Sequence, residues 1–492
     1  MTRQAIIRIS TILTLLLIWA VWTFAIGDVL YNSRETTHGW VASAVRNYDR
    51  YTYDEIGFSI VWDNEVTEDI SSLTVYSHHP PLVAWMPAIL TRLIGDNVLA
   101  LKIGFSLVMF IAVSAFYALT KQMYGEKIAF WALLLFGLMP MTSFYQIMLR
   151  HDSLGFAAAL LYALIFYNWL KKPTLLLYCG LIVTTILAVW TAWPAVFFVA
   201  TIGIYGMLVG NISQRFGVFI LGIITILSFV IMMLLYEMWS SGAVSSTLTA
   251  FLWRTSSASL RVGSEPFTLI DWVFSTLYHI GYYGTIPVLI FSVLGLRSFW
   301  QKNNRLQIGF TLALFLSGWL YLLVFRNAGY LHTYYKAFVM PGMTILAAFG
   351  IVHFRQYKPR FTRPFVDGLV IAFFLQVALV LFISYQTPHK DDIGEVIDYM
   401  NQTPDLTQPI YILFPEASYA TDLGIEYYTS TNIGWNLMLE EIPETDEPFT
   451  FIFCFEEQDY VERVYGSEQD AEAINDYCSV YLLDGTPNLD DE

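Results

Sequence analysis

The sequence predicts a polytopic α-helical membrane protein with about 11 transmembrane helices, external juxtamembrane helices and a small C-terminal α/β extracytoplasmic domain. Composition is the first observation behind this prediction. The chain has 492 residues, of which 56% are hydrophobic and only 14% are charged. This is more apolar surface than one water-soluble core can bury. The second observation is a series of long apolar stretches, and the third is the alternation of basic and non-basic connections between them.

A helix needs roughly 20 apolar residues to cross the hydrocarbon core of a bilayer. The sequence contains about eleven such stretches, near 6–26, 98–120, 128–148, 154–170, 174–190, 194–209, 217–237, 284–299, 307–325, 337–353 and 366–385. Basic residues lie in six groups on one side of this series, which the positive-inside rule makes cytoplasmic: Arg3 and Arg8; Lys121 and Lys127; Lys171 and Lys172; Arg215; Arg297, Lys302 and Arg305; Arg355, Lys358, Arg360 and Arg363. We therefore expect a plasma-membrane protein with a cytoplasmic N-terminus. A cleaved signal peptide is the alternative for the first stretch.

Charge divides the chain into a membrane domain, 1–385, and an acidic extracytoplasmic domain, 386–492. The first part carries 24 basic and 16 acidic residues, and the second carries two basic and 25 acidic residues. An acidic domain repels phosphate polymers, so nucleic-acid binding is excluded. A helical stretch after Asp391 and strand-like runs at 409–414, 450–455 and 479–483 predict an α/β fold with a parallel or mixed sheet. Cys454 and Cys478 could pair in an oxidising compartment or be unrelated.

Ionisable residues cluster in the segments predicted to be external. His78 and His79 precede Pro80 and Pro81, and this pattern suits a helix entry at the membrane interface. Arg150, His151 and Asp152 occupy a predicted external turn, where a cation could meet a phosphate. Glu35, in the loop 27–97, could accept a proton if burial raises its pKa. The alternative for Glu35 is a surface ion pair with Arg34.

A last group precedes the span near 337–353. His332, Tyr335 and Lys336 supply imidazole, phenol and ammonium donors at similar depth, and Lys336 could meet a lipid phosphate or snorkel to the surface. Divalent metal is a further alternative, because imidazole and carboxylate groups such as His79, His332 and Glu35 suit zinc or manganese.

The order of these motifs resembles the GT-C superfamily of polytopic glycosyltransferases, of the dolichyl-phosphate-mannose protein mannosyltransferase and lipid A aminoarabinose transferase type. The resemblance covers residues 1 to about 350. It is carried by Glu35 after the first span, by His79-Pro80-Pro81-Leu82, by Arg150 and Asp152, and by His332 with Tyr335 before Pro341. Arg34 stands where the family often has a second acid, so Asp28 is a fallback for the catalytic base.

The resemblance implies transfer of a sugar from a polyprenyl-phosphate-sugar donor to a lipid, glycan or protein acceptor at the extracytoplasmic face, with inversion. Glu35 is the expected base. Lys336 and Arg150 are the expected cations for the leaving phosphate, with Arg254 and Arg261 as weaker candidates. No certain cofactor is implied. Three alternatives remain: a glycan polymerase or ligase with a diphosphate-linked donor, a transporter, and a noncatalytic scaffold. A transporter would place ionisable residues near the bilayer midplane.

Overall fold

The structure is a computed structural model. It describes residues 3–24, 38–57, 59–62, 69–70, 73–94, 98–145, 150–240, 242–257, 266–356, 359–385, 390–403, 406, 410–413, 449–454, 471–474 and 478–483. The chain forms two compact units. The first comprises Met1–Ile26, Gly57–Ile60 and Tyr76–Ile383, and the second comprises Gly27–Ile56, Val61–Val75 and Ser384–Glu492. The sequence-based division at residue 385 thus lies close to the last boundary, but part of the loop 27–97 is grouped with the C-terminal residues.

The first unit is built of helices. They are α1 Arg3–Phe24, α4 Leu82–Ile94, α5 Val98–Tyr124, α6 Glu126–Leu138, α7 Pro140–Ser143, α8 His151–Lys171, α9 Leu175–Thr191, α10 Trp193–Val209, α11 Ile212–Trp239, α12 Ala243–Thr255, α13 Leu269–Tyr283, α14 Ile286–Lys302, α15 Arg305–Val324, α16 Arg326–Leu331, a 3₁₀ helix Thr333–Val339, α17 Met340–Gln356 and α18 Pro359–Tyr385. The second unit contains α2 His38–Arg50, α3 Tyr53–Ile56 and α19 Lys390–Gln402, together with the strands described below.

Among the described residues, six helices are long and apolar enough to cross a membrane, or seven if α13 and α14 form one span bent by 100°. Four shorter apolar helices include Leu175–Thr191 and Trp193–Val209, which the sequence predicts as spans. The predicted polytopic helical class is therefore confirmed. The count of eleven spans stays a prediction, because several of the predicted stretches form short or broken helices.

Local sequence explains where the helices break. The predicted span 128–148 divides at Met139, because Pro140 cannot donate a backbone hydrogen bond and starts the short helix α7. Pro194 likewise opens α10 directly after α9 ends. Side-chain caps start other helices: Asn211 and Gln214 form a reciprocal capping box at the beginning of α11. These breaks place polar loop residues at the ends of apolar helices.

Two glycines allow helix backbones to approach closely. A Cβ atom at Gly318 of α15 would lie 2.5 Å from backbone atoms of Phe338 and Val339 in the 3₁₀ helix, so only glycine permits this approach. Gly295 of α14 faces the backbone of Leu346 in α17 just as closely, which is the small-residue packing typical of membrane helices. The 3₁₀ helix is therefore packed backbone to backbone against α15, and the middle of α17 is packed in the same way against α14.

Within the described residues, the C-terminal part of the second unit contains a mixed four-stranded sheet. The strands are β1 Ile410–Leu413, β2 Phe449–Cys454, β3 Ala471–Ala473 and β4 Cys478–Leu483, in the order β1-β2-β4-β3. β1 pairs parallel with β2, and β4 pairs antiparallel with β2 and β3. Buried residues of α19 pack on this sheet. Cys454 and Cys478 lie opposite each other on β2 and β4 and form a disulfide, which decides the alternative that the sequence left open.

Candidate active site

The His-His-Pro-Pro segment is held through its own backbone. Thr247 Oγ1 donates to the carbonyl of Ser77 at 2.9 Å. Trp193 Nε1 donates to the carbonyl of His78 at 3.0 Å, and the Tyr236 hydroxyl donates to the carbonyl of His79 at 2.6 Å. Three successive carbonyls thus accept hydrogen bonds from α12, α10 and α11. Because buried carbonyls are costly to leave without partners, these side chains set the position of both histidines.

Arg254, near the end of α12, joins this segment from the other side. It is only 9% exposed, and its Nη1 donates to the carbonyl of His78 at 3.1 Å. Its Nη2 lies 3.1 Å from His79 Nε2. Because arginine can only donate, His79 Nε2 must be the acceptor, and the neutral imidazole then carries its proton on Nδ1. Burial, followed by the charge of Arg254, lowers the pKa of His78, so this second imidazole is neutral as well.

Arg150 and Asp152 form a fully buried ion pair at the start of α8. Arg150 Nε lies 3.1 Å from Asp152 Oδ1, and both side chains are 0% exposed. The guanidinium also lies over the Tyr334 ring, with Cζ 3.0 Å from the ring centroid. Among the described residues, neither Nη1 nor Nη2 of Arg150 has a hydrogen-bond partner. Four N–H groups of a buried cation are thus available to an anionic ligand.

The His332-to-Lys336 motif supplies an aromatic wall and a third cation. His332 stacks on Tyr334, with ring centroids 5.1 Å apart, and Tyr334 contacts Tyr335 at 4.4 Å. Lys336 is 0% exposed, and its Nζ donates to the carbonyl of His332 at 3.1 Å. Lys336 therefore points into the protein and does not snorkel to the surface. The tight turn of the 3₁₀ helix places these side chains on one short segment.

Burial and nearby positive charges set the protonation of the rings in this site. Burial is the largest cause that lowers the pKa of His332, which falls to about 3. The remaining causes are the positive charges of Arg150, Arg254 and Lys336. His332 is consequently a neutral imidazole at physiological pH, able to donate or accept a hydrogen bond but not to contribute charge. Burial also raises the pKa of Tyr76 to about 12, although the charge of Arg254 opposes this shift. The site thus combines fixed cations with neutral hydrogen-bonding rings.

An apolar groove of about 640 Å³ leads to this cluster. It lies between α9, α10, α11 and α12. Among its lining residues Arg254 is the one with a charge, and the others are mostly apolar, including Trp193, Phe197, Phe229, Met233, Leu248 and Phe251. A groove of this kind suits a hydrocarbon chain that ends in an anion. The arrangement can therefore hold an amphiphile with its charged group beside the buried cations.

The structure brings together a set of residues that the sequence singled out for this site: His79, Arg150, Asp152, Arg254, His332, Tyr335 and Lys336. His79 contacts Arg254, Arg150 contacts Asp152, and the charges of both arginines and of Lys336 act on His332. The hydroxyl of Tyr335 interacts electrostatically with Arg254 and with the Arg150–Asp152 pair. Their catalytic roles stay predictions. The proposed base Glu35, its fallback Asp28 and the weaker candidate Arg261 lie outside the described residues.

Metal binding also stays a prediction. Among the described residues there is no group of three or more His, Cys, Asp or Glu side chains that could hold a metal ion. His79 already uses the Nε2 lone pair to accept from Arg254. The described part of the chain therefore offers no complete set of metal ligands. The set predicted from the sequence also includes Glu35, which lies outside the described residues.

Sequence reasoning missed the residues that position the site. Tyr334, which covers Arg150, differs from Tyr335 only by its place in the His-x-Tyr-Tyr pattern. Trp193 and Tyr236 lie within apolar helices and carry no signal that separates them from ordinary membrane-facing aromatics. Asn327, fully buried, donates from Nδ2 to the carbonyl of Trp253 at 3.2 Å and so links α16 to α12. Of these residues, only Asn327 could have been identified from the sequence, because it is a polar residue beside a predicted span.

Comparisons with known proteins agree with this architecture. Residues 78–239 match the dolichyl-phosphate-mannose-protein mannosyltransferase family. ArnT from Cupriavidus metallidurans bound to undecaprenyl phosphate matches with a TM-score of 0.61 and 12% identity, covering 96% of this chain and 97% of that one. Its apo form matches with a TM-score of 0.60 and 11% identity over the same shares.

A more distant match has the same helical fold. The Archaeoglobus fulgidus oligosaccharyltransferase in complex with Zn and sulfate matches with a TM-score of 0.53 and 13% identity, covering 86% of this chain and 62% of that one. No curated protein sequence matches the chain significantly. At these identities the structural likeness shows a shared fold.

Proposed function

We propose that this chain is a membrane glycosyltransferase of the GT-C superfamily, of the ArnT and mannosyltransferase type, and that it uses a polyprenyl-phosphate-linked sugar donor. The sugar passes to a hydroxyl or amine of an acceptor at the extracytoplasmic face. The observation that carries this proposal is the apolar groove whose one charged lining residue is Arg254. A prenyl chain fills such a groove, and its phosphate then meets the cation at the end.

The cations suit the departing phosphate. When the acceptor attacks the anomeric carbon, the bond from that carbon to the phosphate oxygen breaks, and the phosphate leaves with the electron pair. Negative charge grows on the phosphate oxygens, and preorganised donors in a water-poor site stabilise it most effectively. Arg150 supports this role best, because its Nη1 and Nη2 have no hydrogen-bond partner among the described residues. Arg254 is nearly buried and adds fixed positive charge, and the fully buried Lys336 adds charge when its ammonium group is protonated.

Glu35 is the proposed general base. It takes the proton of the acceptor while the acceptor attacks from the face opposite the phosphate, which inverts the anomeric configuration. His332 serves as a neutral hydrogen-bonding group, because its pKa of about 3 keeps it uncharged at physiological pH. A neutral imidazole beside three cations does not add to their repulsion and can still orient a phosphate or sugar oxygen.

The extracytoplasmic location of the site is part of the proposal. The disulfide between Cys454 and Cys478 supports an oxidising compartment for the C-terminal domain. To test the orientation, Cys179 is first replaced by Ala, since it is a free, exposed thiol. A cysteine at exposed Arg326 should then react with an impermeant thiol reagent added to intact cells, and one at exposed Lys302 should not. The reverse pattern would place the site in the cytoplasm.

Donor use is tested by release of free polyprenyl phosphate. The purified protein in lipid is given a panel of polyprenyl-phosphate sugars, with membrane extract as acceptor. We expect release from at least one donor by the wild type and loss of at least about 100-fold in Glu35→Gln, which removes the base but keeps its size. Release that persists in Glu35→Gln would transfer the role of base to Asp28 or elsewhere. No release from any monophosphate donor, with release from a diphosphate-linked one, would replace the proposed donor class.

A further inference from the structure

Helix α12 separates two cavities that differ in the groups lining them. Its residues Val244, Leu248 and Phe251 line the apolar groove described above. A second, open cavity of about 620 Å³ is lined by Ser245, Ser246, Thr249 and Trp253, together with His78. Because successive residues of an α-helix are rotated by about 100°, these two sets lie on nearly opposite faces of α12. α12 is therefore a partition with one apolar and one hydroxyl-bearing face.

The two cavities share a single charged residue. Arg254 lines both of them, at the C-terminal end of the partition. Its side chain is fixed by His78 and His79 rather than free to turn toward solvent. The order of features through this part of the protein is thus apolar groove, cation, and a cavity lined by hydroxyl groups and an indole. A polyprenyl-phosphate sugar has the same order: hydrocarbon chain, phosphate anion, and polyhydroxylated ring.

We infer that the polar face of α12 binds a sugar ring, through the hydroxyls of Ser245 and Thr249 and the indole of Trp253. This inference rests on the proposed function, because it places the phosphate at Arg254. Sugar rings combine hydroxyl groups with an apolar C–H face, so serine and threonine hydroxyls beside an exposed tryptophan suit both parts of the ring. Trp253 is 36% exposed, and Ser245 and Thr249 are exposed as well.

Local hydrogen bonds leave this face able to bind. Thr249 Oγ1 donates its proton to the carbonyl of Ser245 at 3.0 Å, and its oxygen can still accept from a sugar hydroxyl. Ser246 Oγ lies 3.0 Å from His78 Nε2, which fixes one edge of the cavity. At the opposite end, the carboxylate of Glu237 accepts from the backbone N–H groups of Gly242 and Val244, both at 2.9 Å, and so fixes the start of α12. The partition is held at both ends.

The bound ring could belong to the donor or to a carbohydrate acceptor, and one pair of variants distinguishes them. Ser245→Ala/Thr249→Val removes the polar face, and Leu248→Ala, on the opposite face of the same helix, is the matched control. Binding of undecaprenyl phosphate and of undecaprenyl-phosphate-linked mannose, glucose and arabinose is measured by native mass spectrometry on the full chain in nanodiscs. The KM for acceptor is measured with membrane glycolipid extract. Equal melting temperatures of the variants exclude a folding defect.

If the ring is that of the donor, wild type binds at least one sugar-bearing lipid about 10-fold more tightly than the bare lipid. Ser245→Ala/Thr249→Val then loses this preference and keeps its affinity for the bare lipid, whereas Leu248→Ala weakens both lipids alike. If the ring is that of the acceptor, the preference survives and the KM for acceptor rises about 10-fold. If both the preference for the sugar-bearing lipid and the KM for acceptor are unchanged in Ser245→Ala/Thr249→Val, the sugar-binding role of α12 is wrong and the proposed function still stands. Wild type that binds neither kind of lipid would overturn the proposed function as well.

Discussion

Two ion pairs of the membrane unit differ in a way that separates function from stability. Arg150 and Asp152 form one at the start of α8, with both side chains 0% exposed and a single contact at 3.1 Å. Arg355 and Asp367 form the other, 36% and 38% exposed, with contacts from Nε at 3.0 Å and from Nη2 at 2.6 Å. The guanidinium of the exposed pair contacts its carboxylate through two nitrogens, and that of the buried pair contacts its carboxylate through one. The buried pair pays for desolvation and still leaves Nη1 and Nη2 without hydrogen bonds from described residues.

This difference indicates that the two ion pairs have different roles. Exposed pairs contribute about 0–1 kcal/mol and fit the basic residues expected on the cytoplasmic side. Burying an ion pair costs several kcal/mol per ion unless its geometry and hydrogen bonds compensate, so such a pair is weak evidence for stability. A buried arginine with two nitrogens that lack hydrogen bonds is better explained by a ligand that accepts hydrogen bonds from them. The phosphate of the proposed donor is such a ligand.

The largest expected effect comes from removing the buried carboxylate. Asp152→Asn leaves Arg150 buried beside a neutral amide, and we expect the free energy of unfolding to fall by about 3–5 kcal/mol. Asp367→Asn, the same change in the exposed pair, should lower it by less than about 1 kcal/mol. Thermal unfolding of both variants in the same detergent measures the difference. Equal losses would mean that burial does not distinguish the two pairs.

The next effect concerns activity. Arg150→Lys keeps the positive charge but removes the planar fork and its spare N–H groups, so transfer should fall by about 100-fold. Arg355→Lys makes the same chemical change at the exposed pair and should stay within about twofold of wild type. Release of polyprenyl phosphate from the active donor is the measurement. If Arg150→Lys retained full activity, the spare nitrogens of Arg150 would have no part in binding the leaving group.

The smallest effect is a pH dependence. The pKa of His332 is lowered to about 3 in the folded protein, against 6.5 for an ordinary histidine. Between these values the unfolded chain binds the extra proton, so stability is complete above pH 6.5 and is lost as the pH falls. The expected loss from pH 7 to pH 5 is about 2 kcal/mol. His332→Gln should flatten this slope in thermal unfolding measured over the same range. An unchanged slope would show that His332 is not held as a buried, neutral imidazole in the folded state.

Some of the candidate site could be predicted because its residues stand out locally. His79 precedes two prolines, and Arg150 and Lys336 interrupt sequences that are otherwise apolar, so each is conspicuous without any tertiary information. Trp193 and Tyr236 could not be found in this way, because an aromatic residue in a membrane helix has the same sequence signature whether it faces lipid or donates to the carbonyls of His78 and His79. The two faces of α12 were hidden as well, since 238–283 reads as one polar loop.

The sequence by itself determined the membrane location, the helical class, the acidic composition of the C-terminal residues and a small set of ionisable candidate residues. It could do so because hydropathy and charge act locally and need no partner. Only the tertiary structure decided that Cys454 pairs with Cys478, that Lys336 is buried, and that Arg150, Arg254 and Lys336 surround one histidine. These facts depend on contacts between residues tens to hundreds of positions apart. Such contacts are chosen by the packing of whole helices and strands, which no local pattern encodes.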